Sequence, residues 1–126
     1  MMDIDRLKTY CEKKLGAPII PIKLDKEVVE SMVKWAEEDI SDFNVNLSNE
    51  VKHRFIERYV LYQSKQMIGR IKGRYIKGSE NELLRDVNID PEEFIKEGKK
   101  QLSELFIELE KFIELEKQNK DDKEIN

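Results

Sequence analysis

Residues Phe55–Gly78 read FIERYVLYQSKQMIGRIKGRYIKG. The apolar positions recur at helical spacing: Phe55, Tyr59 and Tyr62 continue a strip begun by Val51, and Ile56, Val60, Met67 and Ile71 line the adjacent strip. Two neighbouring strips make a broad buried face, the signature of a central helix with several neighbours. Ser48 is a good N-cap and Gly78 a good stop, so the spacing predicts a helix from about Asn49 to Lys77. Its last third is basic and punctuated by glycine. Lys65, Arg70, Lys72, Arg74 and Lys77 fall close together, and no carboxylate interrupts Gly69–Gly78. A glycine inside a helix costs roughly 1 kcal/mol. Gly69 and Gly73, four apart, therefore suggest a place where another helix comes close, from the same chain or a neighbour.

Working towards the N-terminus, Asn44–Leu47 is a short connection. Before it, Val29, Met32, Val33, Ala36, Ile40 and Phe43 form a helical stripe that starts after Asp25, a suitable N-cap. Glu37, Glu38, Asp39 and Asp42 are read as a solvated helix face, because the loop spacing and glycine of a calcium site are missing. Trp35 lies off the stripe's centre and is read as a flanking core residue; the other reading is an anchor in a subunit interface, where tryptophan is enriched. Earlier still, GAPIIPIKL contains Pro18 and Pro21, which forbid a helix interior. Ile19, Ile20 and Ile22 are too apolar for a free linker, so an extended segment in a groove, or a short edge strand, is expected. A first helix over roughly Ile4–Leu15, capped by Asp3 or Asp5 and stopped by Gly16, carries Ile4, Leu7, Cys11 and Leu15 on one face.

Towards the C-terminus, Ser79–Arg85 reads as a turn or loop. Asp90, Pro91 and Glu93 then form a clear helix start, with Ile89 and Phe94 placed for a hydrophobic staple. Ile95, Gly98, Leu102, Leu105, Leu109 and Phe112 repeat in threes and fours towards Glu116, and Phe106 and Ile113 widen the stripe beyond a coiled-coil seam. The polar stretch Lys117–Asn126 is expected to be a mobile charged tail. The result is one all-α domain over residues 1–116: a helical bundle of two long helices, one medium helix and a short N-terminal helix, with an extended proline-containing segment.

The 126 residues carry a net charge of -4. That balance argues against whole-surface binding of nucleic acid, which needs clustered cations. The single cysteine allows no intrachain disulfide and suits a reducing compartment. MMDIDRLKTY lacks the apolar core of a signal peptide, and the Ala17–Ile22 run is too short to span a bilayer, so a soluble protein without a membrane partner is expected. Cys11 and His53 are the only residues of their kinds. They are read as a packed thiol and a surface histidine, and no catalytic residue, metal ligand or cofactor is assigned.

Three pieces of the chain, taken together, resemble a known family. LKTYCEKKLGAPIIPIKLDKEVVESMVKWAEEDISDF gives a short helix, Leu-Gly-Ala-Pro, an apolar extended segment and an acid-capped helix. YVLYQSKQMIGRIKGRY (Tyr59–Tyr75) ends in a hydrophobic-Gly-Arg-hydrophobic-basic pattern. Phe94–Leu109 contains Glu97, Gly98 and Lys99. These are similar to the neck, or head-to-tail connector, proteins of tailed bacteriophages. The resemblance implies a non-enzymatic virion protein. Its copies would form a ring of about twelve beneath a portal protein and meet a tail-side or second neck protein. Genomic double-stranded DNA would pass through without specific binding, and assembly would take place in the host cytoplasm. The larger neck proteins carry extra material before the long helix where this chain has only Asn44–Leu47, so a minimal adaptor is implied. Partner contacts are then expected at Pro18, Ile19, Ile20, Pro21 and Ile22, at Trp35, and at Gly69, Arg70, Lys72, Gly73, Arg74 and Tyr75. Two other classes stand beside this reading. One is a small helical nucleic-acid-binding accessory protein, for packaging or regulation, using the basic helix end. The other is a small enzyme with a carboxylate-bound metal, which the lone histidine disfavours.

Overall fold

Helix starts in this chain fall where an oxygen meets the free N–H groups of a first turn. A computed structural model describes residues 2–16, 22–43, 45–78 and 90–125, with side chains described outside 72–78 and 120–125. It contains α1 (Ile4–Leu15), α2 (Lys26–Asp42), α3 (Asn49–Gly78) and α4 (Pro91–Ile125). The Asp3 carboxylate accepts from the Arg6 N–H at 3.2 Å, and that of Asp25 from the Glu27 N–H at 2.8 Å. The Ser48 hydroxyl accepts from the Val51 N–H at 3.3 Å. Asp90 takes both the Glu92 and Glu93 N–H groups, at 3.1 and 3.2 Å. At the other end of α1, Gly16 adopts φ 124° and its N–H caps the helix, a conformation that disfavours any residue with a Cβ.

The architecture is an all-α bundle of four helices, with no strand among the described residues. α3 is its centre: α1, α2 and α4 all pack on it, α1 and α2 also pack on each other, and α4 has no other helical neighbour among the described residues. Leu7, Cys11 and Leu15 of α1 meet Val29, Met32, Val33, Ala36 and Ile40 of α2 and Phe55, Ile56, Tyr59 and Val60 of α3 in one core. Leu105, Leu109 and Ile113 of α4 extend it. The apolar periodicity of each segment thus becomes one contiguous buried face. Leu24 and Ile22, ahead of α2, are buried with it. The Leu24 N–H donates to the Glu12 carboxylate at 2.9 Å, which ties the approach to α2 onto α1.

α3 and α4 form an antiparallel hairpin, as the pairs Arg58–Glu108, Lys65–Glu97 and Gly69–Pro91 show. α4 continues to Ile125, beyond the Glu116 expected from periodicity. Lys117–Glu124 contains no Gly or Pro to stop it. The hydrophobic staple expected at Ile89 and the turn expected at Ser79–Arg85 lie outside the described residues.

Cys11 behaves as a small core residue. It is fully buried, and its thiol is pushed up to about 12, first by burial and then by the nearby Glu57 and Glu12 carboxylates. Thiolate is the reactive form. A thiol reagent such as Ellman's is therefore expected to leave the native protein unmodified at pH 8 and to label one thiol per chain in denaturing urea. Full labelling of the native protein within seconds would contradict this burial.

Candidate functional site

The basic, glycine-punctuated end of α3 is where packing and charge had to be told apart. Gly69 serves the chain's own fold. A Cβ there would lie 2.7 Å from the Pro91 carbonyl oxygen and 2.8 Å from Ile95 Cγ1, so the helix that comes close is the first turn of α4. Lys65 belongs to the same hairpin. Its ammonium donates to Glu97 at 2.7 Å and to Gln101 at 3.4 Å, and lies over the Phe94 ring. A second rung is formed by Arg58, whose guanidinium reaches both oxygens of Glu108, at 2.6 and 3.2 Å, and lies 5.9 Å from the Tyr62 ring centre.

These two rungs set a pH dependence. The Lys65 hydrogen bond holds the Glu97 carboxyl below its ordinary value, and the Arg58 hydrogen bond does the same for Glu108. A carboxylate with a lowered folded pKa adds stability that is fully present above its unfolded pKa and is lost as pH falls through the folded one. The hairpin is thus expected to lose stability on acidification below the ordinary carboxylate value of 4.5. Glu108→Gln is expected to flatten that loss without abolishing it, as read from urea midpoints between pH 7 and pH 3. An unchanged pH slope in the variant would remove Glu108 from the account. Both carboxylates are exposed, so salt is expected to weaken the effect.

Past Gly69, α3 continues beyond the level at which α4 starts. Arg70 is exposed, and its one described side-chain bond is to Gln66 Oε1 in its own helix, at 3.2 Å. Ile71, expected on the buried face, is 37% exposed because α4 begins level with Gly69. Lys72, Gly73, Arg74 and Tyr75 belong to α3, but their side chains lie outside the described residues. Pro18, Ile19, Ile20 and Pro21 also lie outside them. Ile22 is in the core at 9% exposure, so its apolar surface is used within the chain.

Trp35 does not flank the core as expected. It is 50% exposed. The buried stripe of α2 is centred on Met32, Val33 and Ala36 and leaves the ring standing beside Ser31, Glu38 and Asp42, all exposed. On the opposite flank, the end of α2 and the start of α3 bound an open groove of about 760 Å³. Ile40 and Ile56 line it together with Glu37, Lys52 and His53. Among the described residues no three His, Cys, Asp or Glu side chains converge as metal ligands would. No described helix is long and apolar enough to cross a membrane.

Two buried polar residues had no counterpart in the sequence reading. Ser64 is fully buried, and its hydroxyl lies 3.6 Å from Met32 Sδ, at the α2–α3 contact. Gln66 is 4% exposed beneath Gly98 and gives Arg70 its acceptor. A polar residue on an apolar helix face is the only sequence signal for either, and it does not distinguish a buried contact from a break in the stripe.

No protein-family model, curated protein or solved structure matches this chain. That overturns the label of bacteriophage neck or head-tail connector protein, since nothing in any of the three comparisons ties the chain to a virion. The ring size, portal and tail-side partners and virion location entered only through that resemblance, and the comparisons do not bear on them.

Proposed function

We propose that this chain is a non-enzymatic structural subunit that assembles with other copies of itself through the outer faces of its helices. The observation that supports this is Trp35. A tryptophan half out in solvent on an ordered helix, bordered by carboxylates, has the composition of an interface centre with a polar rim. Exposed Ile71, Ile107 and Leu115 add apolar surface elsewhere on the molecule. Sedimentation velocity over a hundredfold range of protein concentration tests the reading. The wild-type chain is expected to gain mass as concentration rises. Trp35→Ala is expected to move that transition to at least tenfold higher concentration while melting within about 0.5 kcal/mol of wild type, as surface substitutions do. A wild-type chain that stays monomeric throughout would end this proposal.

The nucleic-acid reading is weakened by the hairpin geometry. Lys65, one of the five cations that suggested it, is bound to Glu97 and Gln101. Binding of duplex DNA that falls steeply with salt would restore it.

A further inference from the structure

We propose that the Trp35 face of α2 on one copy binds the end of α3 beyond the start of α4, at Arg70 and Ile71, on the next. The inference rests on the assembly reading above and supplies the partner that reading leaves open.

On α2, Ser31, Trp35, Glu38 and Asp42 follow at spacings of four, three and four, and all are exposed. They form a strip with one large ring and two carboxylates. Neither Glu38 nor Asp42 takes part in an ion pair among the described residues. The whole helix leans the same way, with Glu27, Glu30, Glu37 and Asp39 set against Lys26 and Lys34. A partner that covers this strip has to bring positive charge and some apolar surface together.

The end of α3 brings both. Arg70 is exposed, and among the described residues its side chain is held by Gln66 of its own helix; Ile71 beside it is 37% exposed. The sequence from Gly69 to Gly78 contains bases and no acid. A guanidinium is suited to this strip because it stacks on an indole face and its planar fork pairs with carboxylates. Isoleucine adjacent to it would cover the ring edge.

The two surfaces do not meet within one molecule. α2 runs antiparallel to α3, with Met32 against Ser64 and, further along α2, Ile40 lining one groove with Ile56. From that level, Trp35 lies three residues towards one end of the bundle and Arg70 six towards the other. At the 1.5 Å rise of a helix they are about 13 Å apart along the axis. The pairing is therefore between copies, and it joins two different surfaces. Such a contact is heterologous: each molecule keeps one surface free for the next, and growth ends only by closure.

This topology has a decisive test. Glu38→Lys/Asp42→Lys disables the face and leaves the α3 end intact. Arg70→Ala disables the end without giving the altered face a carboxylate to pair with, and leaves the face intact. All three side chains are exposed, and thermal melts confirm that each variant folds. Each variant alone is expected to associate at least tenfold more weakly than wild type and to sediment as a monomer where wild type assembles. An equimolar mixture is expected to form a one-to-one dimer and nothing larger, because one intact face and one intact end remain. A mixture that stays monomeric while wild type assembles would overturn the pairing and leave self-assembly standing. So would a single variant that assembles like wild type. A wild-type chain that never assembles would remove the assembly reading itself, and this inference with it.

Discussion

Gly98→Val is expected to destabilise the protein by about 3 kcal/mol, at the upper end for overpacking a packed interior. Even the first carbon of a side chain has no room there. A Cβ on Gly98 would stand 2.7 Å from Gln66 Cγ and 2.9 Å from the Tyr62 carbonyl oxygen, with the Gln66 backbone nitrogen at 3.3 Å. Gln66 can shift its side chain, but the carbonyl belongs to the central helix and cannot. Valine adds two methyl groups to that crowding, so α4 has to move off α3 over the turns that carry Leu102 and Leu105. The better helix propensity of valine recovers only a few tenths of a kcal/mol. Lys99→Val, on the exposed neighbouring position, is the control and is expected to stay within about 0.5 kcal/mol of wild type. Urea unfolding followed by far-ultraviolet circular dichroism reads both. A Gly98→Val protein as stable as the wild type would mean that α3 and α4 are not in contact at this level.

Gly69→Ala is expected to be milder, though its nearest contact is as short. Its obstacle is the carbonyl of Pro91, the first residue of α4. A helix end can fray or tilt by a few tenths of an ångström where a mid-helix turn cannot. The difference between the two glycines therefore reports position along the hairpin and not local crowding alone.

Gly69 and Gly98 also show what the sequence could and could not state. A glycine in an apolar helix face implies a close neighbour, and Gly69 has one in the first turn of α4. Whether the neighbour is another copy or the next helix depends on the crossing level of α3 and α4, and no local pattern encodes that. The caps at Asp3, Asp25, Ser48 and Asp90 and the stop at Gly16 were legible because each rests on bonds within four residues. The core stripes of α1 and α2 were legible for the same reason, since periodicity is a local property. Glu12 was not: its carboxylate accepts from Leu24, twelve residues away, and only the folded arrangement brings the two together.

The candidate site followed the same rule. The basic segment of α3 looked uniform as a string of letters, but the hairpin divides it. Lys65 faces Glu97 and Gln101, whereas Arg70, past the start of α4, is left exposed. Trp35 lies off the centre of an apolar stripe, and the letters alone fit the margin of a core or an interface anchor. It is 50% exposed: α4 packs on α3 and reaches the end of α2 through Phe106 on Phe43, and no described helix lies over the Trp35 flank. The margin of a stripe is buried only where a third element lies over it, and the number of elements over each margin is a tertiary quantity.

The same geometry makes Phe106 the residue on which the attachment of α4 turns. Phe106 is only partly buried, yet its ring centre lies 5.4 Å from that of Phe55, 6.2 Å from Tyr59 and 6.4 Å from Phe43. The first two pairs are edge-on and the third is stacked, arrangements favoured by the ring quadrupole. Phe43 is the C-cap of α2, so this cluster is the described side-chain link between α2 and α4. Phe106→Ala is expected to cost about 3 kcal/mol, the low end for removing a phenylalanine from a core, because part of the ring is already in solvent. Phe43→Ala alone is expected to cost less, about 1–2 kcal/mol, since Phe43 loses one ring partner and not three. Because the two rings stack, the double variant is expected to fall short of the sum of the two by about 0.5–1 kcal/mol. Urea midpoints of the four proteins give that coupling directly. Additive costs would separate Phe43 from Phe106 and leave α4 held to the bundle through α3 alone. A measured coupling would show that the end of α2 is fixed from two sides, which is the rigidity that a face built around Trp35 requires if it is to present its ring and carboxylates in one arrangement.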